Sequence, residues 1–419
     1  MEMMERYTSA VRDNVYEWIK DVKDVDILVG IPCYNNEDTI AHVVSTVAEG
    51  LRTYFKDKKS ALFVSDGGST DDTREKAYAA PIPEGFHRRV TIYRGMPGKG
   101  TSFRAVFEVA KALKADCCIV VDSDLRSITP EWIKLLAEPV LKKNAGFVAP
   151  YYMRHKNDGT ITNNIIYPMT RSLYGLRIRQ PIGGDFGFSG ELAVLYTKEQ
   201  VWDTDVAQYG IDIWMSTTAI NEGFKVVQAQ LGTKVHEAKD PAEHLGPMFR
   251  QVVSTLFYLM GKYESKWRNI KGSTPVDTIG EPREIAKIEP VSVNLSKLEI
   301  EFLEGFHHFN PLYKQIIEPE SYKQLAKNIR KLKRTGEVIF PPGLWAKILY
   351  DFAFTYQTWS RNRRKLVDVM IPLYFGRTAA YCHEVSELDA EQSEKIVELQ
   401  AKVFEDTKSY LIKKYEAWE

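Results

Sequence analysis

Asp122 and Asp124 follow directly on the apolar run Cys117-Cys118-Ile119-Val120-Val121. Alternation along a strand sends both side chains to the same side. At the carboxyl end of such a strand, where open α/β sheets bind ligands, two hard oxygen ligands can face one divalent cation carrying a diphosphate. A short acidic turn or helix cap has the same composition, so the surrounding elements must decide between the two.

Those elements repeat the arrangement. Residues 25–32 form a first strand, and Cys33-Tyr34-Asn35-Asn36-Glu37-Asp38-Thr39-Ile40 opens a helix, with Asn36 or Asp38 as its cap and Ile40, Val43, Val44 and Val47 as its buried face. A second strand, Ala61-Leu62-Phe63-Val64-Ser65, ends in Asp66-Gly67-Gly68-Ser69-Thr70-Asp71-Asp72-Thr73. There paired glycines let backbone approach a ligand, and Asp71 or Asp72 can cap the next helix. A loop, Met96-Pro97-Gly98-Lys99-Gly100-Thr101, places a lysine for a phosphate before a helix carrying Phe103, Val106, Phe107 and Val109. Each turn alone is ordinary; their order describes a nucleotide-binding half-domain.

With Gln180-Pro181-Ile182-Gly183-Gly184-Asp185, Tyr209-Gly210-Ile211-Asp212 and Val235-His236 downstream, the chain resembles nucleotide-sugar glycosyltransferases of the GT-A fold. Within that fold the likeness is greatest to the retaining enzymes that make glucosyl- or mannosylglycerate and glucosyl-3-phosphoglycerate. It covers residues 25 to 260. The resemblance implies an α/β, Rossmann-like domain in which Pro32, Glu37, Ser69 and Lys99 line the nucleotide and diphosphate pocket. Tyr34, Asp66, Asp122, Ser123, Gly183 and Gly184 are expected to border the donor as well. Asp124 and His236 would hold the metal, with donor diphosphate and water completing its shell.

Departure of a nucleoside diphosphate from an anomeric carbon builds negative charge on the leaving phosphate, so a cation and Lys99 would stabilise the transition state more than the ground state. A carboxylate, an imidazole and phosphate oxygens suit Mg2+ or Mn2+. No closely spaced Cys/His quartet suggests structural zinc. In the resembling enzymes the acceptor attacks on the face the diphosphate leaves, so no covalent nucleophile is expected. Gln180 to Asp185 would sit beneath the donor sugar, with Asp185 bonding its hydroxyls. Asp185 stands where the family more often has glutamate. Asp212 matches a second acidic sugar or acceptor position, and it also reads as a helix N-terminal carboxylate.

Acceptor choice rests on two departures. Where the phosphoglycerate enzymes resemble Gly-Arg-Val-Thr, this chain has Gly159-Thr160-Ile161-Thr162, and where they have His-x-Asn it has His236-Glu237-Ala238. A guanidinium is the natural partner of a phosphate dianion and a threonine is not, so an unphosphorylated acid is expected. Thr162, Asn163 and the loop Leu245-Gly246-Pro247-Met248 are candidates for gripping its carboxylate. Arg154 and Lys156 lie near enough in sequence to restore a phosphate site, which keeps 3-phosphoglycerate as the alternative.

The 419 residues carry 56 basic and 56 acidic side chains, a formal net charge of zero, so no overall attraction to nucleic acid is expected. Four cysteines, Cys117 and Cys118 adjacent in a strand and Cys33 and Cys382 scattered, make no disulfide framework and suit a reducing cytosol. No apolar run spans a bilayer. Residues 1–24 read as an amphipathic helix, 25–268 as the catalytic domain, 269–293 as a Pro- and Gly-containing linker and 294–419 as an α-helical region. In mannosylglycerate-type enzymes that region helps to form oligomers, so a dimer or tetramer is expected. Lys327 to Arg334, five basic residues in eight, read as a solvated helix face.

The combined expectation is a cytosolic, metal-dependent, retaining transferase moving glucose from a UDP or GDP donor to D-glycerate, giving a compatible solute. The alternatives are transfer to 3-phosphoglycerate, or mannose from GDP-mannose. A catalytically silent nucleotide-sugar-binding regulator would be marked by loss of Asp124, His236 or Lys99, and all three are present. A polymer-forming or lipid-directed enzyme would be marked by a membrane helix or a Gln-x-x-Arg-Trp segment, and neither is found.

Overall fold

The computed structural model describes residues 9–236, 241–282 and 287–418, the side chains of 241–245 excepted. The chain divides into two compact units, the first of residues 1–153, 179–237 and 276–288, the second of 154–178, 238–275 and 289–419. The expected boundaries at 24/25 and 268/269 are not the ones at which contacts thin out, because the chain crosses between units several times and residues 154–178 pack with the later helices.

In the first unit, α1 (Asp13–Val22) precedes β1 (Ile27–Cys33), α2 (Ile40–Tyr54), β2 (Ser60–Asp66), α3 (Thr73–Ala79), β3 (His87–Ile92), α4 (Lys99–Ala112), β4 (Cys117–Val120), α5 (Pro130–Lys143) and β5 (Phe147–Met153). Every residue of β1, β2 and β4 is buried, as continuous apolar runs covered on both faces require. On α2 the buried residues include Ile40, Val43, Val44, Val47 and Leu51, the stripe a 3.6-residue period presents to a sheet. Trp18 of α1 stacks on Phe63 with ring centroids 6.3 Å apart, so the amphipathic N-terminal helix is part of this unit.

The chain next forms α6 (Tyr167–Tyr174) and β6 (Leu176–Arg177) of the second unit, then returns as β7 (Phe186–Ser189), α7 (Gly190–Lys198), α8 (Ile211–Asn221) and β8 (Val226–Thr233). After α9 (Pro241–Lys262), α10 (Glu264–Trp267) and β9 (Thr274–Pro275) of the second unit, β10 (Thr278–Ile279) rejoins the first. The expected linker thus contributes an edge strand.

The eight-stranded sheet has the order β10-β8-β5-β7-β4-β1-β2-β3. All its pairings are parallel except those of β7, which runs antiparallel between β4 and β5. From β1 the chain winds one way to β2 and β3 and then crosses to β4 on the other side. That reversal opens a crevice beyond the carboxyl ends of β1 and β4.

In the second unit every element from 295 to 418 is helical: α11 (Leu295–His308), α12 (Asn310–Ile316), α13 (Pro319–Thr335), α14 (Pro342–Thr358), α15 (Arg363–Glu384) and α16 (Ala390–Trp418). Its interior holds paired charges. The fully buried Arg377 binds Glu384 with both terminal nitrogens, at 2.7 and 2.9 Å, and Arg171 binds Glu398 and Glu405, each at 2.8 Å. Cys33, Cys117, Cys118 and Cys382 are buried free thiols. Among the described residues no helix is long and apolar enough to cross a membrane.

Candidate active site

Three strand ends of the first unit converge on the crevice. Register pairs Pro32 with Ser65 and Cys33 with Asp66, while Gly30 pairs with Val120, so the β1 turn, the Asp66 turn and the Asp122 turn leave the sheet side by side. Asp66 is fully buried and accepts from the backbone N–H of Gly68 at 2.9 Å, from that of Ser69 at 3.0 Å and from Arg74 at 3.0 Å. It therefore shapes its own glycine turn. Ser69 in turn accepts from the Asn35 N–H at 2.9 Å.

The expected caps of α2 do not form. Asn36 instead accepts from the Ser123 hydroxyl at 2.8 Å, and Thr39 donates to the Ser123 carbonyl at 2.7 Å, which ties the β1 turn to the end of β4. Asp71 accepts from the Thr73 and Glu37 N–H groups, and Asp72, at the N-terminus of α3, makes no side-chain cap. Glu37 pairs with Lys76 at 3.1 Å. Pro32 is buried, whereas Tyr34 is 60 % exposed.

Asp122 does not present two free oxygens to a cation, as strand alternation suggested. Its Oδ1 lies 2.9 Å from Lys99 Nζ and its Oδ2 lies 2.9 Å from Lys234 Nζ. Burial works against the charge of Asp122, but Lys234 and Lys99 outweigh it and hold the carboxyl well below the usual range. Lys99, the first residue of α4, also lies 3.3 Å from Asp212 Oδ2. Burial opposes its charge too, and Asp122 and Asp212 overcome it, raising the ammonium above its ordinary value. Asp212 sits in the first turn of α8, and its Oδ1 is buried without a hydrogen-bond partner. Burial raises its carboxyl, with Lys99 pulling the other way.

Asp185 is placed differently from expectation. It is fully buried. Its Oδ1 accepts the Asp122 N–H at 2.7 Å, and its Oδ2 accepts from the Tyr152 hydroxyl and from Lys234 at 2.9 Å. Protein donors thus take the oxygens that were expected to bond sugar hydroxyls. Gly184 adopts φ +90°, and a Cβ there would lie 2.2 Å from Asp122 Oδ2. Only glycine allows the Gly183-Gly184-Asp185 turn to press against that carboxylate.

Asp124 points elsewhere. His236 Nδ1 stands 3.9 Å from Asp124 Oδ2, and both side chains are partly exposed. Two hydrogen bonds carry the histidine there, from the Val235 N–H to Ser127 Oγ at 2.8 Å and from the Arg126 N–H to the Val235 carbonyl at 2.9 Å. Burial and then Asp122 raise the carboxyl of Asp124, a bias that a bound cation would reverse. A carboxylate and an imidazole are donor types that suit Mg2+ or Mn2+. Adjacent ligands of an octahedral ion, each about 2.1 Å from it, sit roughly 3 Å apart, so the pair would draw together by about 1 Å to share one. Among the described residues no three metal-ligating side chains lie together. The remaining ligands would have to come from donor and water.

The expected acceptor residues belong to the second unit. Thr162 and Asn163 are buried in a π-helical turn, Thr162–Ile166, a feature often found at functional sites. Gly159 has φ +66°, and a Cβ on it would meet Arg154 Nη1 at 3.5 Å and Thr162 Oγ1 at 3.8 Å. Arg154 and Thr162 thus both border the Gly159 turn ahead of that helical segment. Arg154 also faces Asp158 at 3.6 Å. Lys156 is committed elsewhere, donating to the Ser386 and Leu388 carbonyls at 2.6 and 2.8 Å. Thr160 is buried, its hydroxyl 2.6 Å from the Tyr374 hydroxyl. Gly246 and Met248 lie in α9 and not in a loop, because an apolar helical period runs through this stretch in spite of Pro247. The Leu245 side chain and residues Glu237 and Ala238 lie outside the described residues.

Residues 28–195 match the family model described as glycosyl transferase family 2. The chain carries a family 2 glycosyltransferase segment over residues 28–195. Its similar relatives include the glucosyl-3-phosphoglycerate synthase of Mycolicibacterium paratuberculosis, 29% identical over 263 residues, which are 56% of this chain and 72% of the relative. The enzyme of that name from Mycobacterium tuberculosis is 27% identical over 262 residues, 56% of this chain and 74% of the relative. A crystal structure of the M. tuberculosis protein with Mn2+, uridine diphosphate and glucosyl-3-phosphoglycerate is 26% identical, covering 59% of this chain and 84% of that one, with a TM-score of 0.45.

The mixed, helix-flanked sheet of this glycosyltransferase is the α/β, Rossmann-like arrangement expected from its sequence, and α11–α16 are the expected helical region. Two residues of its site escaped the sequence reading. Lys234 directly follows β8 and lies in none of the motifs, although a lysine beside an apolar strand end calls for buried partners. Tyr152 carried no motif at all.

Proposed function

We propose that this glycosyltransferase moves glucose, with retention, from uridine diphosphate glucose to 3-phosphoglycerate with the help of Mg2+ or Mn2+. The observation that carries the donor half is the cluster at the strand ends, in which Lys99 lies between Asp122 and Asp212 while Asp124 and His236 form a separate two-ligand edge. The ion would be held by Asp124 and His236 and would supply Lewis acidity at the donor diphosphate. Lys99, at a helix N-terminus, stabilises charge on the departing diphosphate. Asp212 Oδ1 is a buried acceptor awaiting a hydroxyl, which suits the donor sugar. The exposed ring of Tyr34 offers the base a stacking face. No side chain is assigned as a covalent nucleophile; position and electrostatics do the work.

The acceptor half is supported by the relatives' names and by Arg154, Gly159 and Thr162. They supply, at different positions, the guanidinium that Thr160 lacks, and Thr162 with Asn163 would serve the carboxylate. Free D-glycerate is the second reading, favoured by the Asp158 carboxylate, which already faces Arg154 and would oppose a phosphate dianion.

A product assay decides between them. Purified protein with Mg2+ and UDP-glucose is offered both acids side by side, and the linkage is read by NMR. An α-linked product mainly from 3-phosphoglycerate is expected. Preference for the free acid would establish the second reading, and no product from either acid would overturn both acceptors.

A further inference from the structure

Lys234 gathers the parts of the donor site that the strands leave separate. Its Nζ lies 2.9 Å from Asp122 Oδ2, 2.9 Å from Asp185 Oδ2 and 2.9 Å from the Gly183 carbonyl. The nitrogen stands 5.0 Å from the centroid of the Tyr152 ring, and the side chain is 3% exposed. An ammonium has three donors, and here they meet three acceptors from two chain segments, the turn after β4 and the turn before β7. Tyr152 donates to the same Asp185 oxygen, and the Asp122 N–H completes the tie at 2.7 Å.

This arrangement decides what the first acid of Asp122-Ser123-Asp124 does. Both its oxygens face ammonium groups, Lys99 on one side and Lys234 on the other. Swinging Asp122 onto a divalent cation would strip a buried lysine of half its compensation. Resting on the reading of Asp124 and His236 as cation ligands, we propose that Lys234 is a positioning residue. It reserves Asp122 and Asp185 as a fixed floor for the donor and leaves the cation to Asp124 and His236.

The test compares Mn2+ binding and kinetics on the full chain. With uridine diphosphate present, Mn2+ affinity is read from the paramagnetic resonance of the free ion. Asp122→Asn is expected to bind Mn2+ within about threefold of wild type, and Asp124→Asn to lose about tenfold or more, the scale of a lost metal contact. A loss beyond about tenfold in a folded Asp122→Asn overturns the proposal. Retained binding in Asp124→Asn would instead overturn the cation assignment beneath it.

Lys234→Met is expected to lower kcat on the order of 10- to 100-fold with the KM for UDP-glucose within about threefold. Lys234→Arg should recover most of that kcat. Wild-type kcat in Lys234→Met, or a loss confined to KM, overturns the positioning role. Should Lys234→Met fail to fold, Asp122→Asn decides: wild-type Mn2+ affinity with a reduced kcat supports the proposal, and weakened Mn2+ binding overturns it.

Discussion

Lys99 Nζ stands 2.9 Å from Asp122 Oδ1, so the cation suited to a diphosphate already has a protein partner. The incoming diphosphate must compete with that carboxylate, which makes the contact strongest when leaving-group charge has developed. Lys99→Met is therefore expected to cost kcat roughly 100- to 1,000-fold, with a smaller change in UDP affinity. Steady-state kinetics and UDP titration separate the two; a loss seen only in affinity would assign Lys99 to ground-state binding.

Asp124→Ala and His236→Ala each remove half of the proposed cation site, the pair 3.9 Å apart. Both variants, and wild type treated with a chelator, are expected to lose at least about 100-fold of transfer while keeping the far-ultraviolet circular dichroism of the fold. Transfer at the wild-type rate under chelation would sink the metal assignment.

Thr160→Arg looks in sequence like a route to better phosphate binding, and the structure reverses that expectation. Thr160 is 1% exposed and bonded to Tyr374, so an arginine would bury an unpaired charge. Destabilisation of roughly 3 to 5 kcal/mol is expected. Urea denaturation tests it, and a fully stable variant with improved use of 3-phosphoglycerate would contradict the placement.

Arg154→Ala should raise the KM for 3-phosphoglycerate on the order of 10- to 100-fold, the scale of a lost charge-assisted pair, and leave the KM for UDP-glucose nearly unchanged. The same variant offered D-glycerate should lose little. Equal losses on both acids would place Arg154 at the carboxylate.

Lys408 is buried and donates to the Trp267 and Ile270 carbonyls, each at 2.7 Å. Burial pushes its ammonium down to about 8, with Glu405 pulling the other way. The unfolded chain, near the ordinary lysine value, binds the proton more readily, so this group costs stability below pH 8 and the cost fades as pH rises through about 10. Stability against pH, measured by denaturant midpoints, should therefore show a rising contribution across that window which Lys408→Met removes. An identical slope in both proteins would show that Lys408 stays charged.

Much of the candidate site's framework was legible in the residues themselves. Continuous apolar runs ending in acids and glycines announce buried parallel strands with ligand-facing turns, since burial on both faces and a short turn are local demands on sequence. On that ground Asp66, Lys99, Asp122 and Asp124 could be placed at one edge of a sheet, and Ile40, Val43, Val44 and Val47 on one helix face, where these four apolar residues are buried.

What only the tertiary structure decided are the pairings between distant segments. Asp122 meets Asp185 and Lys234 across 63 and 112 residues of chain, distances closed by the antiparallel insertion of β7 beside β4. No local period encodes that insertion. For the same reason the burial of Asp185 and Thr160 and the capture of Lys156 by carbonyls 230 and 232 residues away could not be read in advance. Residue type determined which chemistry was available in this protein, and packing determined which of those groups stay open to a ligand, because a buried charge or hydroxyl must be satisfied by whatever the fold brings beside it.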